Sequence, residues 1–587
     1  MARRDPRVKR GQNNRRMSMA QIRKLDVQNF RSIKTLSWCP TPGINCLVGP
    51  GDSGKSTILD AIDLCMGARR TIQFTDADFT NITVDAPIEI TVTLGALSDR
   101  LKTFDAYGLF LRGFNAASGE IEDEPRAGLE TVLCLRLTVG PDLEPIWTLV
   151  SDRAAALGSE RFLAWADRQD IAPTRIGSFS DVNLSWRRGS VLNKLSEEKA
   201  DASQILLAAA RDARAQFGGT ADAQLAAALA KVKGVADELG IGDGNDLHAE
   251  LDAHSVSMSA GTISLHNDDG VPLKGMGIGS TRLLIAGLQK EAAAGPAIVL
   301  VDEVEHGLEP HRIIQFLNAL GAKDPEKSLQ VFMTSHSAVV VRELGLMPLT
   351  IVRPGKDGPI LKRAGDHPEL QGTARLFPEA FLAKSVLVCE GATEVGFVRG
   401  IDQWCADRGK PSLHAAGTCL ISGGGDEMLK RASAFVALGY RTALLRDDDK
   451  RPDPDEEALF ELSGKVFKWQ EGRKIEAEIF ASIPSGAAIA LLDLALEDLD
   501  QPVLDAQLSS ASGNQVSIAS IREEAKAGEL SPIAREALGT ASGKKSGWFK
   551  SVGAMERAAR DIIGPNLVAG EPFSLMTGNI RRWTLNA

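Results

Sequence analysis

Gly49-Pro50-Gly51-Asp52-Ser53-Gly54-Lys55-Ser56, followed by Thr57, fits the pattern G-x-x-x-x-G-K-[ST]. The stretch lies between the apolar run Ile44 to Val48, which reads as a buried strand, and Thr57 to Met66, which reads as a helix. In that setting the glycines let successive backbone N–H groups turn toward one centre, and the helix N-terminus adds partial positive charge. Lys55 is placed to reach the β- and γ-phosphates and the Ser56 hydroxyl to ligate Mg²⁺. The competing reading is a glycine-rich turn without a ligand, and the flanking strand and helix weigh against it. Gly49, Gly51, Asp52, Ser53, Gly54, Lys55, Ser56 and Thr57 are therefore the expected nucleotide contacts, with ATP and Mg²⁺ as cofactors.

Working outward, Ile22 to Lys34 alternates apolar and polar residues in its first half, as a half-buried strand does, and leads through Pro40 to Gly43 into the P-loop strand. Ile88 to Leu94 and Thr131 to Val139 add antiparallel strand signals, so the first lobe is expected to be one mixed sheet around the nucleotide. From about Ser151 to Ser255 the texture turns Ala-rich and helical, notably Ala200 to Gln216 and Ala221 to Leu239. Such an insert serves dimerisation or reaches toward a partner, and the sequence does not choose. Strand signal returns at Thr262 to His266.

Ala297 to Val301 is a second apolar strand and ends in Asp302-Glu303, a Walker B pattern in which Asp302 holds Mg²⁺ and Glu303 polarises the attacking water. The strand Leu329 to Met333 is followed by His336, placed to sense the γ-phosphate. Upstream, Lys274 to Ser280 is glycine-rich and opens a helix at Thr281, so Gly277 and Ser280 read as phosphate contacts donated to a partner molecule's nucleotide.

The strand carrying Asn29-Phe30-Arg31, the P-loop, glycine-rich helix start, Walker B and switch histidine together resemble the ATP-binding-cassette (ABC) ATPases of the RecF, SMC and Rad50 kind. In that family two heads sandwich two ATPs, so the resemblance implies a homodimer or higher homo-oligomer. For the family's Q-loop glutamine, Gln73 is the candidate.

A second site follows. The apolar strand Ser385 to Cys389 ends in Glu390-Gly391-Ala392-Thr393-Glu394, whose two glutamates stand one helical turn apart. Thr418 to Ser422 leads into Gly423-Gly424-Gly425, and Thr442 to Leu445 ends in Arg446-Asp447-Asp448-Asp449. Asp447 and Asp449 project to one side if the strand continues. Acidic residues also gather at solvated strand ends without any ligand, but two clusters, each closing an apolar strand, suit a cage of hard oxygen ligands for Mg²⁺ or Mn²⁺.

The order E-G-x-x-E, G-G-G, D-x-D resembles the TOPRIM domain of topoisomerases, primases and nucleases. Behind an ABC head it resembles the OLD (overcoming lysogenization defect) ATPase-nucleases, including the nuclease subunit of Gabija-type phage defence. This resemblance covers about residues 21 to 480. It implies two-metal phosphodiester cleavage of DNA with Glu390, Glu394, Asp447 and Asp449 as ligands, Glu390 and Asp447 being central to catalysis. Glu476, chosen over Glu478, completes the second ion's shell, and Lys545, chosen over Lys544, steadies charge on the scissile phosphate. A role in phage defence or DNA repair, with a helicase partner, falls within what the resemblance implies.

The expected architecture is α/β. A basic arm (1–20) precedes an ABC ATPase (21–150 and 256–376) interrupted by a helical insert (151–255), and a TOPRIM core (377–480) and a helical C-terminal part (481–587) follow. Across 587 residues the hydrophobic content is 43% and the charged content 25%, as in globular proteins. No apolar run approaches the roughly 18 residues of a membrane span, and no secretory signal is expected at Met1 to Met19. The seven cysteines include no C-x-x-C pair and read as reduced thiols of a cytoplasmic protein. Net charge is −10, yet residues 1–17 carry Arg3, Arg4, Arg7, Lys9, Arg10, Arg15 and Arg16 against Asp5, a pattern shared by phosphate-binding arms and by plain solvated tails.

Strand passage requires a tyrosine nucleophile, and the two tyrosines, Tyr107 and Tyr440, sit in no separate DNA-gripping module. A primase's cysteine-rich zinc module is absent from the sequence. Hydrolysis remains, and the alternative is a non-catalytic, ATP-driven DNA clamp or scaffold with a structural Mg²⁺ site.

Overall fold

A computed structural model describes residues 20–586 other than 70, 178–182, 185–189, 196–207, 210, 213–224, 234–264, 269, 271, 293–296, 326–328, 450–452, 471 and 545. The described chain divides into two units, one within 1–31, 37–44 and 59–333, the other within 32–36, 45–58 and 334–587.

In the first unit an antiparallel sheet is built on β4 (Ile88–Gly95), which pairs with β1 (Gln21–Phe30) and β7 (Glu130–Val139). β7 also pairs with β5 (Leu111–Phe114) and β8 (Pro145–Leu149), and β5 with β6 (Ile121–Glu122). The strand expected over Ile22 to Lys34 stops at Phe30 and restarts as β2 (Ile33–Trp38). Asn29 and Arg31 take φ of 54° and 49°, a left-handed backbone that no strand continues through. Asn29 secures the corner, donating to the carbonyls of Thr83 and Ala86 and accepting from the Thr80 N–H.

The same unit holds a parallel set in the order β9 (Thr174–Ile176), β10 (Ala297–Val301), β11 (Leu329–Ser335). β9 falls in the span where composition predicts helices, and three residues are too few to leave a period. The expected mixed lobe is thus two sheets, because the antiparallel strands bond among themselves and β10 bonds to its own parallel neighbours. Of the Ala-rich stretches, residues 208–209, 211–212 and 225–233 are described and helical, and the remainder lie outside the described residues. Of Thr262 to His266 only Leu265 and His266 are described, and His266 forms a lone bridge to Pro272. The basic arm lies outside the described residues except Ala20.

In the second unit the fully buried P-loop strand β3 (Ile44–Val48) pairs in parallel with β12 (Leu349–Pro354), which pairs antiparallel with β13 (Pro359–Arg363). A second sheet is entirely parallel, in the order β15 (Thr418–Ser422), β14 (Ser385–Cys389), β16 (Arg441–Arg446), β17 (Lys465–Lys468). Every residue of β14 is buried, as expected of a strand covered on both faces. The helices beyond Ile475 enter the same core: the rings of Phe397, Trp469 and Phe573 meet with centroids 5.6 Å apart, and Leu491, Leu538 and Ile563 belong to one cluster with Leu387 and Leu445. The acidic strand ends are therefore supported by side chains drawn from well over a hundred residues of sequence.

Candidate functional site

The P-loop lies in the second unit. A Cβ added at Gly49 would sit 2.1 Å from the Val352 carbonyl oxygen, so β12 can pass this close only to a glycine. Asp52 and Gly54 take φ of 55° and 85°, and the helix Lys55–Met66 begins immediately after them. Lys55 is buried, its Nζ donating to the carbonyls of Gly49 (3.1 Å) and Pro50 (2.6 Å) and to Ser53 Oγ (3.2 Å). Ser56 is exposed in the first turn, and Thr57 Oγ1 lies 3.4 Å from Ser32 Oγ. Gly51 has open space on its Cβ side. His336 follows β11 and is exposed, ahead of Ser337, whose side chain caps the helix Ala338–Leu344.

Asp302 and Glu303 lie in the first unit, directly after β10. Glu303 takes φ of 47°, a conformation a glutamate adopts only when its surroundings hold it. Arg282, 1% exposed, supplies the hold: its guanidinium donates to the carbonyls of Asp302 (3.0 Å), Glu303 (3.0 Å) and His306 (2.7 Å). Arg282 belongs to the helix Ile278–Ala292, whose first turn contains Ser280 and follows Gly277. There Gly279 packs so tightly that a Cβ would meet the Gly307 carbonyl oxygen at 2.0 Å, while Ser280 Oγ accepts from Arg312. Arg175 of β9 pairs with Asp60 (2.7 Å) and Asp63 (3.2 Å) and reaches within 3.8 Å of Asp302. Sequence reasoning missed both arginines, which have no local motif around them.

The acidic residues gather at the C-terminal ends of β14 and β16. One oxygen from each of Glu390, Asp447 and Asp449 lies within 4.8 Å of the others. β16 ends at Arg446, so the two aspartates share a side through loop hydrogen bonds and not through the strand alternation the sequence suggests. Asp447 Oδ1 accepts from the Ile475 N–H (2.9 Å), and its own N–H donates to Glu390 Oε2 (2.9 Å), tying the two strand ends together. Asp448 turns the other way, onto the Gly472 N–H and the buried Arg446. Arg446 also donates to the Asp447 carbonyl (2.7 Å) and forks onto Glu457.

Glu394 lies outside the group of three. Its Oε2 accepts the Gly391 N–H (2.8 Å) in the first turn of the helix Ala392–Ala406, within electrostatic reach of Glu476 and Glu390. Burial, helped by those two charges, pushes the Glu394 carboxyl up to about 7. Burial likewise pushes Asp447 up to about 8, with Glu394, Glu390 and Glu476 adding to it. Glu476, in the helix Ile475–Ser482, is 1% exposed; one of its oxygens accepts from Lys550 Nζ, and the other, Oε2, is buried with no hydrogen-bond partner among the described residues. Glu478 points to Arg473 instead (3.2 Å).

Crowded, mutually repelling carboxylates and an orphaned buried oxygen are what a divalent cation relieves, and an all-oxygen donor set suits Mg²⁺ or Mn²⁺. These residues fit the ion on chemistry and on burial.

Lys545 lies outside the described residues, and Lys544 donates to Ser510 at the surface. Among the described residues of the same basic stretch, Lys550 reaches the acidic group, donating to Glu476. Buried Trp548 and Phe549 anchor the segment, the Trp548 indole donating to Gln507 (2.8 Å) and packing on Phe480.

The model of the family described as "AAA domain, putative AbiEii toxin, Type IV TA system" matches residues 44–342. A stretch of 63 residues is 35% identical to the "DNA replication and repair protein RecF" of Prosthecochloris aestuarii, covering 11% of this chain and 17% of that protein. Among solved structures, the Smc head domain with an extended coiled coil from Pyrococcus furiosus aligns with 61% of this chain and all of its own, at 13% identity and a TM-score of 0.34. The SMC head domain from Thermotoga maritima aligns with 58% of this chain and 98% of its own, at 14% identity and a TM-score of 0.29. Because the matched span exceeds half of its 587 residues, the chain belongs to the family of the AAA domain, putative AbiEii toxin, Type IV TA system.

Proposed function

We propose that this α/β ATPase is a metal-dependent DNA endonuclease of the OLD type, in which an ABC-type head governs hydrolysis at a TOPRIM-like acidic site. The observation that carries this reading is the meeting of Glu390, Asp447 and Asp449 within 4.8 Å, together with the buried Oε2 of Glu476, which has no hydrogen-bond partner among the described residues. Four parallel strands with both acidic clusters at the same ends support it, since ligands of open parallel sheets gather outside the carboxyl ends of the strands.

In this reading Glu390, Asp447, Asp449, Glu476 and Glu394 hold one or two Mg²⁺ or Mn²⁺ ions. The ions supply Lewis acidity and charge neutralisation toward a phosphodiester. The chain's own groups do the positioning. The Ile475 N–H fixes the orientation of Asp447, the Asp447 N–H fixes Glu390, and Lys550 holds Glu476. The P-loop, Asp302, Glu303 and His336 bind and hydrolyse ATP, and Gly277 with Ser280 contact the nucleotide of a second copy. DNA is the substrate, a homodimer the working unit, and the cytoplasm its place.

Supercoiled plasmid incubated with Mg²⁺ or Mn²⁺ tests the reading. Nicking that vanishes in Asp447→Ala and survives in Lys55→Ala is the expected result. A wild-type protein that binds DNA and leaves the plasmid intact with either ion, with and without ATP, would favour the clamp.

A further inference from the structure

The acidic loop and the segment after β17 are stitched together residue by residue. Asp447 takes the Ile475 N–H, Asp448 takes the Gly472 N–H and gives its own N–H to the Arg473 carbonyl (3.1 Å), and Asp449 meets Lys474 Nζ at 3.3 Å. The first two links use backbone groups, which cannot leave without unfolding the turn. The third is the end of a flexible side chain, 43% exposed.

A divalent ion shared by Glu390, Asp447 and Asp449 would bring two positive charges to the Asp449 carboxylate that the ammonium contacts, and like charges a few ångströms apart repel. Lys550 offers the contrast. Its partner Glu476 is buried and its own stretch is pinned by Trp548, so it has less freedom to turn away. Arg473, the residue before Lys474, lines an open cavity together with Lys468, Asp448 and Glu478.

From this placement we infer that Lys474 is a displaceable counter-charge: it neutralises the Asp447–Asp449 side of the cluster until a divalent cation binds, then offers its ammonium to a phosphate of the DNA strand. The inference rests on the metal-site reading given above. A purely structural salt bridge would behave otherwise, since its loss would loosen the loop and weaken metal and DNA binding together. A displaced counter-charge predicts opposite signs.

The test compares the full-length wild type with Lys474→Met and Lys474→Arg in two titrations, Mn²⁺ alone and a short DNA duplex in Ca²⁺. Lys474→Met is expected to bind Mn²⁺ about three- to tenfold tighter, the range for relief of one partly exposed charge. It is expected to bind DNA more weakly, with a salt slope reduced by about one. Lys474→Arg keeps the DNA affinity. Mn²⁺ affinity that is unchanged or weaker in Lys474→Met, or DNA affinity that does not move, overturns the inference. A wild type whose Mn²⁺ uptake is indifferent to Asp447→Ala contradicts the metal site itself, and the inference falls with it.

Discussion

The P-loop and the acidic site oppose each other in charge and in construction. At the P-loop a buried lysine is surrounded by carbonyl and hydroxyl oxygens supplied by residues 49–53, six or fewer positions away. At the acidic site the carboxylates of Glu390, Asp447, Asp448, Asp449 and Glu476 are met by N–H groups and ammonium ions drawn from the 446–449 loop, the 472–475 turn and Lys550. The first arrangement is fixed by a loop conformation. The second exists only while a shared core, from Phe397 to Phe573, keeps separate segments in register. A local site should therefore fail locally, and an assembled site should fail with its scaffold.

The largest effect should come from the centre of the assembled site. Asp447→Ala is expected to cut plasmid nicking by about a hundredfold or more, since even residues that only support a metal ligand cost 10–100-fold, and to leave ATP binding intact. Plasmid assays and a fluorescent nucleotide titration read the two. Next comes Arg446→Met, which leaves Glu457 and Asp448 facing a lost, fully buried partner. Breaking such a pair costs about 3–5 kcal/mol, read as a drop in the denaturant midpoint, and nicking should fall with it. Lys550→Met removes the partner of Glu476 and should change Mn²⁺ affinity by about tenfold or less, measured by calorimetry. The smallest global effect belongs to the contiguous site. Gly49→Ala, which must push back the Val352 carbonyl, should abolish nucleotide binding while costing about 1–3 kcal/mol in stability.

The same contrast explains what could be read from the chain. β3, β10, β14 and β15 coincide with apolar runs because a buried parallel strand is a continuous hydrophobic segment. β17, Lys465–Lys468, carries lysines at both ends and leaves no such run, and β9 is three residues long. The acidic residues stood out because they close strands. Their supporters did not: Lys474, Lys550 and the Ile475 N–H reach the site only through tertiary packing, which no spacing encodes. Asp447 and Asp449 do face the same cluster, but for a reason different from strand alternation. Asp448 is drawn away by the Gly472 N–H and Arg446, and the residues on either side are left pointing inward.

The central claim, that two strand ends converge to hold divalent ions, is tested most directly by Mn²⁺ anomalous diffraction from crystals of the wild type and of Asp447→Ala. The account predicts an anomalous peak bridging the carboxylates of Glu390, Asp447 and Asp449 in the wild type and its loss in the variant. Mn²⁺ found away from these three residues, or retained there in Asp447→Ala, would contradict it.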